Sequence, residues 1–210
     1  VQDLTQALWH SLEVAVISSI IATALGTPAA IALARRRFRG RGAIDLVVVT
    51  NLTAPTVVVG ASLLGFFIAL SVPRGLVTIL IAHVAFNIAI VIIVVQARVS
   101  GFDESLEEAA ADLGAPPWIT FWKVTMPLIL PGIFSAFLLS FALSIDDYII
   151  TSFVAGQTLT FPLWVAGAVK VGPRAAGDHR DAILEALGGL GRGLRRGSRA
   201  GQGARGAHNA

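Results

Sequence analysis

The sequence contains no cysteine, a single methionine and a single tyrosine, and lysine, arginine, aspartate and glutamate together make up only 14% of its 210 residues. Each scarcity excludes something. Without cysteine there are no disulfides, thiolate metal sites or cysteine nucleophiles, and nothing is fixed about redox compartment. No Gly-x-x-x-x-Gly-Lys-Ser/Thr loop is present, so the chain cannot by itself cradle ATP phosphates in the P-loop manner, and ATP-derived energy would have to come from a partner. His10, His83, His179 and His208 are scattered, with neither a His-Glu-x-x-His pair nor an Asp/His cluster at metal-ligand spacing. What the chain has instead is apolar length. With 55% hydrophobic residues and a mean hydropathy of +0.75, it is too apolar for an ordinary soluble domain and belongs in a membrane.

The net charge is +3 and the pI about 10.2, but the arginines fall in two clusters separated by apolar runs. That pattern fits a membrane surface better than nucleic acid, since only Phe38 interleaves the first cluster, and no nucleic-acid partner is expected. Val1 to His10 is polar, lacks a basic start and leads into an apolar run too long for a signal core. With no initiating methionine, the sequence reads as a processed or partial chain.

Four apolar runs can cross a hydrocarbon layer of about 30 Å at 1.5 Å per helical residue. The first is Leu12 to Ala34. Arg35, Arg36, Arg37, Arg39 and Arg41 follow it and place that loop in the cytoplasm under the positive-inside rule. The second, Val47 to Leu70, is read as one span; the third runs from Leu76 to about Val95, and the fourth from Pro127 to about Ile150. Counting spans puts Gln96 to Lys123 in the cytoplasm and Ala155 to Lys170 outside. After Val171 the composition turns to Gly, Ala and Arg with little apolar periodicity, which predicts a disordered tail over 173–210.

The cytoplasmic stretch has helical order. Ser105 to Leu113 are good helix formers, Asp103 or Ser105 can cap their start, and Gly114 stands where a left-handed C-terminal cap is wanted. Pro116 and Pro117 cannot continue that helix but can open a second, Trp118 to Met126, turned away from the first. The result is a helix-turn-helix elbow at about 101–127. Ala109, Ala110 and Ala111 let another surface approach closely, and Glu107 and Glu108 beside them can meet a basic group on it. A solvated amphipathic connector would have the same composition.

The spacing Glu108-Ala109-Ala110, three residues, Gly114, nine residues, Val124-Thr125-Met126-Pro127 resembles the EAA loop of permease subunits of bacterial ABC importers, with Val and Met in the aliphatic slots. Ala34 to Gly40, Gly101-Phe102-Asp103, Ser140 to Tyr148 and Val169 to Gly172 look like the spermidine/putrescine branch of these permeases; iron and thiamine importers share similar pieces. The resemblance covers roughly Leu8 to Gly172.

It implies an all-α, polytopic transmembrane domain of the type I ABC importer kind in the bacterial inner membrane, occupying 1–172. The first and last of six helices would be lacking, and the Gly/Arg-rich tail is what a shifted reading frame in a GC-rich gene would give. The implied partners are an ABC ATPase dimer, a second permease subunit, an external or periplasmic substrate-binding protein and membrane lipid. The chain itself would hold no cofactor, ATP and Mg being used by the ATPase. For docking, the resemblance implies Glu108 as the charged contact, Ala109 and Ala110 as the close-packed surface and Gly114 as the bend, with Glu107, Asp112 and Pro127 alongside.

Four polar residues in the spans call for a role, because charges at the bilayer centre cost roughly 2.5 to 3.5 kcal/mol each. Asp146 and Asp147 are either interfacial carboxylates bonded to nearby Ser or Thr, or a pair about 100° apart on one helix with one acid facing the translocation path of a cationic substrate. His83 and Asn87, four apart, share a helix face and either hold the bundle by interhelical hydrogen bonds or line the path. Acid/base catalysis finds no supporting pocket around the two acids. The expected function is transport without covalent chemistry, most simply of polyamines; importers of another solute, or a helical scaffold or channel independent of ATP, are the rivals.

Overall fold

The computed structural model describes residues 2–36, 38–101 and 103–170, all of whose regular elements are helical. Three helices form the centre: α1 (Gln2–Arg35), α4 (Leu76–Ser100) and α7 (Met126–Asp146). Between them lie α2 (Arg41–Thr53), α3 (Thr56–Ala69), α5 (Ser105–Asp112) and α6 (Pro117–Thr120), and α8 (Ile149–Val154) and α9 (Phe161–Lys170) follow. The predicted tail lies outside the described residues.

Helix α1 packs on α4 through small residues. Ser18, Ala22, Gly26 and Ala30 recur at four-residue spacing and are all buried. A methyl group on Gly26 would come within 2.7 Å of a Val91 side-chain carbon, so α4 lies against bare backbone there. Lipid tails are as apolar as leucine, so helices in a bilayer associate by close packing and hydrogen bonds rather than by escape from water. Around this seam Leu33, Val48, Val91, Ile92, Val95, Val99 and Ile129 close the core. At Gly132 the approach is similar: Arg98 lies across α7, its Nε donating to the Leu128 carbonyl at 3.2 Å, where a methyl would meet its Cγ at 2.7 Å.

Three expected boundaries change. The first helix begins at Gln2, ahead of the expected start at Leu12, because Leu4 and Ala7 have a partner in Trp164 of α9, and His10 and Ser11 bond to the backbone of Leu159 and Phe161. The single span expected over Val47 to Leu70 is two helices bent by 110°. Its cause is Pro55, which offers no N–H and forces Ala54 into extended backbone at φ −63°, ψ 136°. Because Arg35 and the elbow after α4 lie at one end of the bundle, this broken pair still carries the chain across. Finally, the helix that carries the fourth span does not begin at Pro127. Pro117 to Asp146 is one uninterrupted helical run of 30 residues, made possible by a π turn over Phe121–Thr125 that closes with Met126 N–H bonding to the Phe121 carbonyl. A wider turn relieves the clash that the Pro127 ring would otherwise make with the carbonyl four residues earlier. The same run ends at Asp146 rather than near Ile150.

Replacing Gly26 by Val is expected to force α1 and α4 apart at a cost of about 1–3 kcal/mol, whereas Gly42→Ala, where a methyl meets nothing within 4 Å, is expected to be neutral. Thermal unfolding of the purified chain in detergent, with the first variant melting lower, checks this.

Candidate functional site

Chemistry gathers at the two ends of the bundle. At the end that carries Arg35, Asp103 accepts a hydrogen bond from the Ser105 N–H at 3.0 Å, and that bond holds its carboxyl below the usual range as it opens α5. Helix α5 then stops as predicted. Gly114 has φ +80°, its N–H bonds to the Ala111 carbonyl at 2.8 Å, and Ala115 N–H reaches Ala110 at 3.0 Å, a Schellman ending that a side chain at 114 would strain.

The elbow is fastened to the bundle by Glu107. Its two carboxylate oxygens accept from the Arg35 guanidinium at 2.6 and 3.0 Å, and the Thr125 hydroxyl of the π turn donates to it as well. Burial raises its pKa, but the hydrogen bonds from Arg35 and Thr125 and the Arg35 charge outweigh that and leave it below the ordinary glutamate value of 4.5. Glu107 is therefore turned inward. Glu108, Ala109, Asp112, Gly114 and Pro127 are exposed, and Ala110 is half-buried, so the motif's own residues present a free acidic and small-residue face. The clasp also shows that the arginine loop and the elbow share one end of the bundle. Arg35 and Thr125 escaped the sequence reading as partners, because nothing in sequence marks a contact across 72 residues.

At the other end, the two aspartates divide. They are not neighbours on one helix: Asp146 is the last residue of α7, while Asp147 leaves the helix at ψ 115° and caps α8. Asp147 accepts from Thr151 N–H and Thr151 hydroxyl, both at 2.8 Å, and lies 3.5 Å from His83 Nε2. His83 is itself 2.9 Å from the Thr151 hydroxyl, and Asn87 donates to Ser144 at 2.7 Å, with Ser18 of α1 3.2 Å from the same oxygen. His83 and Asn87 thus make the interhelical bonds anticipated for them. They also line a cleft of about 440 Å³ with Thr56, Ser144, Asp146 and Tyr148. Asp146 is exposed there, at a helix C-terminus whose partial negative charge adds to its own. No group of three or more His, Cys, Asp or Glu able to hold a metal occurs among the described residues.

Helices long enough to span a bilayer, an acidic elbow at one end and a cleft with an exposed carboxylate at the other describe a polytopic helical membrane protein. The chain belongs to the family of binding-protein-dependent transport system inner membrane components, whose model matches residues 23–171. It is 41% identical over 177 residues to the putrescine transport system permease protein PotI of Escherichia coli K12, covering 80% of this chain and 63% of the relative. It is 38% identical over 171 residues to the spermidine/putrescine transport system permease protein PotC of the same strain, covering 81% and 65%. A PotC homolog of Mycoplasma genitalium is 31% identical over 162 residues, covering 75% and 57%. The chain thus spans less than two thirds of the length of these relatives.

Two outcomes follow from the geometry. Glu107→Gln or Arg35→Ala frees α5, so its amide hydrogen exchange is expected to rise roughly five-fold, with the paired reversal Arg35→Glu, Glu107→Arg restoring protection. Because the native pKa is lowered, this stabilisation is fully present above the ordinary glutamate value and is lost as pH falls through the lowered native one. Separately, Asp147→Asn is expected to lower the melting temperature through the α7–α8 corner, whereas Asp146→Asn leaves it unchanged.

Proposed function

We propose that this chain is the permease subunit of an ATP-driven importer of polyamines, working with an ABC ATPase dimer, a second permease subunit and an external substrate-binding protein. The observation that carries the reading is the division of labour between the acids: Asp147 is consumed in holding α8 and His83, which leaves Asp146 exposed in the cleft for a cation. An alkylammonium group finds there a carboxylate acceptor, a helix C-terminus and the ring of Tyr148, all of which favour positive charge. The names of the relatives supply the substrate class, putrescine and spermidine.

In this reading α5 inserts into a groove on the ATPase, Glu108 meeting a basic side chain and Ala109 and Ala110 packing against it. ATP and Mg are held by that partner, whose closure moves the elbow. Two rigid routes lead from the elbow into the membrane. One is the unbroken helical run from Pro117, about 45 Å long at 1.5 Å per residue, which ends at Asp146. The other is the Glu107 clasp, which takes α1 along. Motion at the elbow therefore reaches the cleft without a hinge between them.

Reconstituted with its partner subunits, the importer is expected to take up labelled putrescine with competition by spermidine and none by iron or thiamine; the converse competition would reassign the substrate. Asp146→Asn is expected to lower uptake at least about ten-fold, the loss that goes with a charge-assisted contact of ~1.5–3 kcal/mol. Glu108→Lys is expected to abolish ATPase co-purification with membrane insertion intact, and unaltered co-purification would sink the docking reading.

A further inference from the structure

The second arm of the elbow has a chemistry opposite to the first. Helix α5 carries Glu107, Glu108 and Asp112 and no base; Pro117 to Met126 carries Lys123 and no acid. On this second arm Trp118 and Trp122 stand one turn apart, 70% and 47% exposed, with ring centroids 5.4 Å apart in an edge-to-face arrangement, and Phe121 packs on Trp122 at 5.4 Å. Two indoles left this open by the rest of the chain need an apolar surface for their rings and an acceptor for their N–H groups.

We infer that Trp118, Trp122 and Lys123 seat the elbow in the cytoplasmic headgroup layer of the bilayer, with an anionic phospholipid as the partner of Lys123. Length supports the placement. The run from Pro117 to Asp146 is about 15 Å longer than a 30 Å hydrocarbon layer, so with Asp146 at the outer boundary its first ten residues or so fall in the opposite interface. The exposed apolar surface is also continuous with the spanning part, where Leu130, Phe134 and Leu138 follow at four-residue spacing, each about half exposed. Tryptophan is enriched at that depth, where its ring is buried and its N–H remains wet. Charge decides between lipid and protein: exposed Lys123, Arg36 and Arg39 lie at the end fixed by the Arg35–Glu107–Thr125 clasp, and they suit anionic headgroups. The acidic α5 suits a basic protein groove and is repelled by the same headgroups. The elbow is thereby oriented, one arm on lipid and the other offered to the cytoplasm.

The absence of cysteine makes the test direct. Nitroxide labels are placed singly at Trp118→Cys, Leu130→Cys and Leu113→Cys in the full chain, reconstituted in nanodiscs of zwitterionic lipid with and without a phosphatidylglycerol fraction. Collision with oxygen and with a water-soluble nickel chelate reports depth. Leu130→Cys, on the spanning part, is the bilayer reference, and Leu113→Cys, 90% exposed at the elbow tip, is the aqueous one. The label at 118 is expected at intermediate depth, and deeper when phosphatidylglycerol is present. As a readout that keeps the native indoles, emission is expected to fall with phospholipids brominated near the headgroup, the drop being smaller in Trp118→Phe, Trp122→Phe. A label at 118 as nickel-accessible as that at 113, or one shielded only once the ATPase subunit is bound, overturns the inference in favour of open solvent or a protein contact. A nickel-accessible label at 130 would instead overturn the membrane placement itself.

Discussion

The bundle depends on how closely α1 and α4 approach. Inside a bilayer the hydrophobic effect does not distinguish a helix neighbour from a lipid tail, so adhesion must come from contact at short range and from hydrogen bonds. Gly26 supplies the contact: with no side chain there, Val91 rests on the backbone of α1, and Ser18, Ala22 and Ala30 keep the seam narrow above and below. Once the two helices are that close, α7 fills the remaining groove, with Ile129 and Ala136 in the common core. Ser18 can then reach Ser144, which Asn87 already holds, so three helices are joined at a single hydroxyl.

Polar clasps fix the two ends of this core. At one end, Thr78 donates to the Val154 carbonyl and Ser11 accepts from Phe161, tying α8 and α9 to the helices they cover. At the other, one carboxylate gathers a guanidinium from the end of α1 and a hydroxyl from the π turn. Exposed ion pairs contribute little to stability, but this one is bidentate and joins segments 72 residues apart, so its effect is on where the elbow sits. Charge then sorts the elbow: the exposed acids Glu108 and Asp112 lie on α5, and Lys123 lies on the arm that runs into α7.

Prolines set the places where regular helix fails, and those places border the functional regions. Pro55 breaks α2 from α3 next to Thr56, which lines the cleft. Pro127 is preceded by the π turn that supplies Thr125 to the clasp. Irregular backbone in a membrane protein is tolerated where protein or a polar cavity satisfies it: Thr56 lies on the cleft, and the π turn is closed by its own Met126–Phe121 hydrogen bond, so the helix runs on.

Much of this was legible from residues alone. Apolar run lengths gave the membrane class, and Gly114 with its alanines and prolines gave the elbow and its left-handed stop, because each is a local property of composition or backbone. The family followed from the spacing of that same elbow. What local pattern could not give was any choice decided by a distant neighbour. Glu107 and Glu108 are chemically equal in sequence, as are Asp146 and Asp147; tertiary contact with Arg35 and Thr125 turns one glutamate inward, and contact with His83 and Thr151 spends one aspartate on structure. The bend at Pro55, the helical continuation through Pro127 and the helical start of α1 belong to the same class. A proline permits either a break or a wider turn, and a polar segment permits either coil or helix, so the outcome is fixed by which packed neighbours are there to satisfy the backbone and side chains, and only the folded chain brings those neighbours together.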